Sequence, residues 1–177
     1  MLQGEHVGLR AIELEDLPTL LCWRNKPALR RYFREYRELN SSQQKAWFER
    51  VVLNDKNTHM FAISSLDSGE LLGACGLCYI DWVSRNADFS IYIGYEGLYI
   101  DTCFAPDAAK VMIRYAFDEL QLHRLWAEIY DFDKPKMTFF DQLGFQQEGL
   151  FRNSHWTEGA WHNSVYYGLL QTDPIVF

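Results

Sequence analysis

The feature that most constrains the fold is the segment of residues 124–170, whose pattern predicts a strand, a short helix and two further strands. The short helix ends at Leu143-Gly144-Phe145, where the glycine can take the left-handed conformation that closes many helices. Before this segment, apolar residues recur with helical spacing after Pro106, which suits the first turn of a helix. The second half of the chain is therefore predicted to run long helix, strand, short helix, strand, strand.

The first half of the chain predicts two helices. Acidic residues 13–16 favour a helix that runs through Trp23, and Pro27 breaks it. Ser41 and Gln44 form a capping-box pattern, which predicts that a second helix begins there.

Strands are predicted between and around these helices. Alternation over residues 7–11 indicates the first strand, and the apolar runs 60–64 and 71–75 flank a turn containing Gly69, as in a hairpin. Residues 87–93 alternate strictly and predict a strand with two different faces. One face carries Phe89, Ile91 and Ile93, and the other carries Asp88, Ser90 and Tyr92. The antiparallel part of the sheet is predicted to end at this strand.

This order of elements resembles the GNAT acyltransferases, and the resemblance covers most of the chain. It implies an α/β (α+β) fold in which a mixed, mostly antiparallel sheet of about six or seven strands is flanked by about four helices. The 177 residues fit one such domain, spanning 1–177, and a content of 48% hydrophobic residues suits a globular protein.

Charge and hydropathy restrict the partners. A formal net charge of -7 disfavours non-specific binding to nucleic acid and to anionic membranes, because both depend on concentrated Lys and Arg. No apolar run approaches the length that crosses a bilayer, and the first residues lack the pattern of a signal peptide. We therefore expect a cytoplasmic protein. The resemblance implies that it acts on a small-molecule or peptide amine, as a monomer or a homodimer.

Cys75 and Cys78 raise the question of a redox or metal site. They lie in an apolar stretch that predicts a strand, in which residues three apart point to opposite faces. Their sulfur atoms would then diverge, so we expect thiols that pack in the protein and no metal site.

The resemblance implies acetyl-CoA as the co-substrate. In that family, main-chain N–H groups of a loop before the long helix bind the donor's pyrophosphate, helped by the positive end of the helix. Here this loop would be residues 100–105, and of the family's usual residues only Ala105 is present. Asp101 and Asp107 would place negative charge near the pyrophosphate. The residues expected to contact the donor are Ile91, Tyr92, Ile93, Thr102, Cys103, Phe104, Ala105, Asp133 and Phe140.

Two of these positions depart from the family in a way that affects catalysis. Asp133 stands where the family often has asparagine, and Phe140 stands where it often has a tyrosine that protonates the departing CoA thiolate. A thiol with a pKa of about 8.5 can leave as thiolate, so this loss need not forbid the reaction. Tyr130 is a substitute proton donor, and the alternative is that it packs at the end of its strand.

Transfer to an amine requires the neutral amine, so a base is needed. Asp88 and Glu128 are the best candidates, with Asp88 first, because each lies mid-strand among apolar neighbours, where burial would raise its pKa. The alternative is that each is a structural carboxylate paired, for example, with Arg85 or Arg124. His162 is the rival base.

Two clusters could bind the acceptor: Trp23, Arg24 and Asn25, and Tyr79 with Asp81. Between two candidate acceptors, these residues favour an amino-sugar nucleotide, whose diphosphate Arg24, Arg34 or Arg37 could hold. A competing acceptor is a protein N-terminus, such as that of a ribosomal protein. A third alternative is a binding or sensor module that keeps the fold without turnover.

Overall fold

A computed structural model describes residues 1–174, and within them eight strands form one sheet in the order β1-β2-β3-β4-β5-β6-β8-β7. The strands are Leu2–Gln3 (β1), Val7–Ala11 (β2), His59–Ser65 (β3), Leu71–Asp81 (β4), Asn86–Ile93 (β5), Arg124–Tyr130 (β6), Gln146–Thr157 (β7) and Ala160–Leu170 (β8). The mixed, mostly antiparallel sheet is confirmed. The sequence predicted about six or seven strands, and the additional one is the two-residue β1.

Five α-helices pack against this sheet in the described part of the chain. They are Leu17–Asn25 (α1), Pro27–Arg30 (α2), Ser41–Trp47 (α3), Phe104–Arg114 (α4) and Lys134–Gln142 (α5). Pro27 separates α1 from α2, which accounts for one helix more than predicted. Helix α4 begins at Phe104, two residues before Pro106, because the Asp101 carboxylate accepts hydrogen bonds from the N–H groups of the first turn.

The pairing of β5 with β6 positions the candidate site. Each neighbouring pair from β1–β2 to β4–β5 is antiparallel, whereas β5 and β6 are parallel and are linked through α4. Their pairing covers only three positions and ends at Asp88 and Trp126. Beyond that point Ile93 of β5 forms a bridge with Tyr99 and does not pair with β6. The two strands therefore separate and leave a gap between their carboxyl ends.

The sheet has a hydrophobic core on each face. Phe89, Ile91 and Ile93 pack in the cluster that contains α4 and α5, whereas Tyr92 packs in the cluster that contains α1. This confirms the two faces predicted from the alternation of residues 87–93. Within residues 1–174, no helix is long and apolar enough to cross a membrane.

Candidate active site

A cleft of about 270 Å³ opens where β5 and β6 separate. Residues of α1, α3, β3, β4, β5, β6 and α5 line it, together with residues 32–35 of the segment between α2 and α3. Its polar and charged side chains, tyrosines included, are Arg24, Tyr32, Arg34, Glu35, Thr58, Tyr79, Asp88, Ser90, Glu128, Tyr130 and Lys136. The structure therefore brings together all three residues that the sequence predicted to be catalytic.

Asp88 is the most deeply buried carboxylate of the cleft, with 3% of its surface exposed. It lies on the polar face of β5, where its strand still pairs with β6. Burial raises the pKa of the Asp88 carboxyl, and the nearby guanidinium of Arg34 opposes that rise. A carboxylate with a raised pKa and access to a cleft has the properties of a general base.

Arg34 connects the two candidate bases. Its Nη1 donates to Asp88 Oδ2 at 2.6 Å, and its Nε lies 3.3 Å from Glu128 Oε2. The guanidinium also lies about 6 Å from the rings of Tyr79 and Trp126, within the range of cation–π attraction. The sequence suggested Arg85 or Arg124 as partners, which is wrong: Arg34 pairs with both carboxylates, and Arg124 pairs with Glu148 across the strands.

Replacing Arg34 with glutamine should raise the pKa of Asp88 further. Burial of Asp88 remains in the variant, whereas the cation that stabilises its charged form is lost. Titration of the Asp88 side-chain carbon by NMR measures the effect. Arg31→Gln is the matched control, because Arg31 pairs with Glu158 at 3.0 Å and not with Asp88. An Asp88 pKa that stays constant or falls in Arg34→Gln would contradict the pairing.

Tyr130 lies at the end of β6 and lines the same cleft. Its ring stacks on His155 with a centroid distance of 3.7 Å, and burial raises the pKa of its hydroxyl to about 12. The hydroxyl is therefore protonated at neutral pH, which a proton donor requires. The rival base His162 lies outside the cleft and contacts Asp131 at 3.3 Å.

The residues predicted to contact the donor fall into three groups. The main chain of Ile91, Tyr92 and Ile93 borders the gap, while their side chains are buried. Residues 102–105 lead into α4 and form its first residues, and the N–H groups of 103–105 donate to the carboxylate of Asp101. These groups therefore suit an anion such as a phosphate. Phe140 differs, because its side chain is fully buried in the core beside Phe145.

Asp133 is the remaining predicted donor contact. It caps α5, with Oδ1 accepting from the N–H of Lys136 at 3.2 Å, and its Oδ2 accepts from the Tyr99 hydroxyl at 2.5 Å. Lys136 reaches into the cleft, where burial lowers the pKa of its amine. Sequence reasoning missed Tyr99 and Lys136 as site residues, since neither belongs to a recognisable pattern.

The predicted acceptor residues divide into those at the cleft and those with local structural roles. Arg24 and Tyr79 line the cleft. Trp23 is buried in the core of the α1 face. Asn25 exchanges two hydrogen bonds with the main chain of Leu39, and Asp81 accepts from the N–H groups of Val83 and Ser84. Trp23, Asn25 and Asp81 therefore have structural roles and do not line the cleft.

The two cysteines lie on opposite faces of β4, as predicted. Cys75 is buried in the core of the α4 face, whereas Cys78 lines the cleft, with its sulfur 3.8 Å from that of Met60. Burial raises the pKa of Cys78 to about 12, so its thiol is protonated at neutral pH and is a poor nucleophile.

Comparison with known proteins gives consistent matches along the whole chain. The acetyltransferase (GNAT) domain family matches residues 6–146. Spermidine N(1)-acetyltransferase of Escherichia coli K12 is 28% identical over 97% of this chain and 89% of its own length. N-acetyltransferase p20 of Bacillus licheniformis, itself uncharacterized, is 26% identical over 97% of both chains.

Among solved structures, spermidine N-acetyltransferase from Vibrio cholerae in complex with CoA and spermine is similar in fold. It superposes with a TM-score of 0.85 at 22% identity and covers 94% of this chain and 96% of its own. The family match spans most of the sequence, and the splayed strands and buried carboxylates lie within it. The chain therefore belongs to the acetyltransferase (GNAT) domain family and is an acetyl-CoA-dependent N-acetyltransferase.

Proposed function

We propose that this enzyme acetylates a primary amine of a small aliphatic polyamine. The observation that carries the proposal is the pair of carboxylates in the cleft, Asp88 and Glu128, which together hold a cation, the guanidinium of Arg34. A site that binds one organic cation between two carboxylates suits another with the same charge. The spermidine acetyltransferase among the relatives supports the same class of acceptor.

The roles of the side chains follow from their positions. The reacting ammonium takes the place of Arg34 beside Asp88, which removes a proton from it, and Glu128 holds a second ammonium of the same molecule. Arg34 can leave, because its segment forms neither helix nor strand and 43% of its side chain is exposed. Acetyl-CoA supplies the acetyl group as a thioester, and Tyr130 is the proton donor to the departing thiol.

Main-chain groups would hold the donor. The N–H groups of Cys103, Phe104 and Ala105 suit its phosphates, as their bonds to a carboxylate indicate, and the edge of β5 at Ile91–Ile93 borders the acyl end. The amino-sugar nucleotide has less support, because two of the three arginines expected to bind its diphosphate contact other side chains. Arg37 pairs with Glu35 at 2.7 Å, and Arg24 stacks over Phe33.

A panel of acceptors tests the proposal through the release of free thiol from acetyl-CoA. Spermidine and spermine should react, and amino-sugar nucleotides should not. A protein N-terminus is the second candidate, since an acidic enzyme attracts the basic tails of ribosomal proteins. If only peptides react, the acceptor is a protein N-terminus and not a polyamine. If no member of the panel gives thiol release, the proposal is contradicted.

Glu128→Gln should raise the KM for spermidine by about tenfold and leave the KM for a monoamine of similar length nearly constant. A hydrogen bond to a charged group contributes at least about 1.5 kcal/mol, which corresponds to that factor. Steady-state kinetics with both amines measures the difference. Glu15→Gln, at an exposed position outside the cleft, is the matched control. An equal rise for both amines would show that Glu128 does not bind the distal ammonium.

A further inference from the structure

The segment of residues 94–103, which joins β5 to α4, crosses the gap between the separated strands. We call it the crossing segment. Its first contact is at the end of β5, where the N–H of Ile93 donates to the carbonyl of Tyr99 at 2.7 Å. This N–H points to the side of β5 where β6 would otherwise pair. The N–H of Ile93, a main-chain group expected to bind acetyl-CoA, is therefore already hydrogen-bonded to a carbonyl of the same protein.

Tyr99 fills the gap with its side chain. Its ring stacks on Tyr32 with a centroid distance of 4.3 Å and an interplanar angle of 11°. Its hydroxyl donates to Asp133, which follows the end of β6, so that this one residue spans from β5 to the far side of the gap. The side chain is 7% exposed. Tyr99 therefore occupies the space between β5 and β6, with its carbonyl bound to Ile93 and its hydroxyl bound to Asp133.

The Asp101 carboxylate lies at the amino end of α4, where the crossing segment meets the helix. Its Oδ2 accepts from the N–H groups of Cys103 and Phe104 at 2.8 and 2.7 Å, and its Oδ1 accepts from Ala105 at 2.8 Å. The carboxylate makes the hydrogen bonds that an anionic group of a ligand would make at the amino end of α4. A phosphate cannot share these N–H groups with Asp101.

The backbone of the crossing segment is strained. Glu96 and Tyr99 both have positive φ angles, 50° and 49°, which residues other than glycine rarely adopt. Such conformations persist only where the surroundings hold them, and the Asp101, Asp133 and Tyr32 contacts provide that restraint. Loss of these contacts therefore favours another conformation of the segment.

We propose that the crossing segment is a removable plug: Tyr99 lies between β5 and β6 and Asp101 lies at the amino end of α4, where acetyl-CoA would bind, and both must leave before the donor binds. The plug rests on the proposed function, because it assumes that the donor uses the main chain of residues 91–93 and 103–105. It makes the enzyme autoinhibited: the apparent Kd for CoA equals the Kd of the open form divided by the fraction of molecules in which the plug is open.

Two variants remove the two contacts separately. Asp101→Ala frees the N–H groups at α4, and Tyr99→Phe removes the hydrogen bond to Asp133 while keeping the ring. Each should tighten CoA binding by about tenfold or more, as measured by calorimetry without any acceptor. Asp101→Ala should also lower Tm without ligand, because α4 loses a cap. A carboxylate that only capped the helix would lower Tm and leave CoA affinity constant or weaker.

Asp107→Asn is the matched control. Asp107 is the carboxylate in the first turn of α4, but it accepts from the N–H groups of Glu5, His6 and Val7, and its removal frees no donor at α4. It should leave CoA affinity nearly constant. Equal tightening in Asp107→Asn and Asp101→Ala would assign the effect to charge repulsion and overturn the plug.

The kinetics of binding provide a second readout. Trp23 packs against Gly94, where an added Cβ would lie 2.0 Å from the indole ring, so the fluorescence of Trp23 reports on the start of the crossing segment; comparison with Trp23→Phe separates it from the other five tryptophans. In the wild-type protein, the observed rate should level off at high CoA, because opening of the plug becomes limiting, and in Asp101→Ala it should level off at a higher value.

The outcomes separate the plug from the proposed function. Tighter binding in both variants but not in the control supports the plug. If the wild-type protein binds CoA and both variants bind it with the same affinity, the plug is overturned and the acetyltransferase function remains. Absence of CoA binding in the wild type and in both variants, at CoA concentrations of about a millimolar, overturns both.

Discussion

Asp88→Asn should lower kcat for acetyl transfer by about 10²- to 10⁴-fold, the usual contribution of a general base. The amide cannot accept the proton that the ammonium must lose before it attacks. It keeps the size of the side chain and one oxygen that can accept from Arg34, so the fold should survive. Steady-state rates of thiol release and the affinity for CoA, measured together, separate loss of catalysis from loss of binding.

The pH dependence of the wild-type rate should follow from the same residue. Because burial raises the pKa of Asp88, the base is lost as the pH falls through that raised value, and kcat falls with it. Asp67→Asn, at an exposed turn between β3 and β4, is the matched control and should retain the wild-type profile. An Asp88→Asn enzyme with wild-type kcat would remove Asp88 from catalysis and leave Glu128 as the remaining candidate.

The sheet and the cleft residues could be predicted because they depend on local patterns. Alternation in residues 87–93 assigned Asp88 to the face opposite Ile91, and the structure confirms this. Burial of a carboxylate follows from its apolar neighbours in the strand. The same pattern implies that the carboxylate needs a cation nearby, since an isolated buried charge is unfavourable.

The partner of Asp88 could not be predicted, because Arg34 is separated from it by 54 residues and lies in a segment without periodic pattern. Tyr99 escaped prediction for a similar reason, since its bond to Asp133 crosses the gap between two strands. Asp101 carried a local signal. An aspartate a few residues before a helix typically accepts from its first N–H groups, and this explains why α4 begins before Pro106.

Phe140 illustrates how position in a family pattern and position in the structure can suggest different roles. The resemblance assigned it to the donor site, whereas the structure places its ring within 4.6 Å of Phe145 and 5.7 Å of Phe89, between centroids. With the side chain fully buried, it contacts the core and not the cleft in this conformation. The two assignments differ in what a substitution would change, and they can be separated by experiment.

Phe140→Ala should lower the free energy of unfolding by about 3 to 5 kcal/mol, because it removes a ring from a packed core and leaves a cavity. That is a large part of the roughly 5 to 15 kcal/mol that stabilises a domain. Urea denaturation with a constant m-value measures it. Phe151→Ala is the control, since that ring is 57% exposed and its removal should cost much less. If Phe140 instead contacted the donor, its replacement would weaken CoA binding and leave the free energy of unfolding nearly constant.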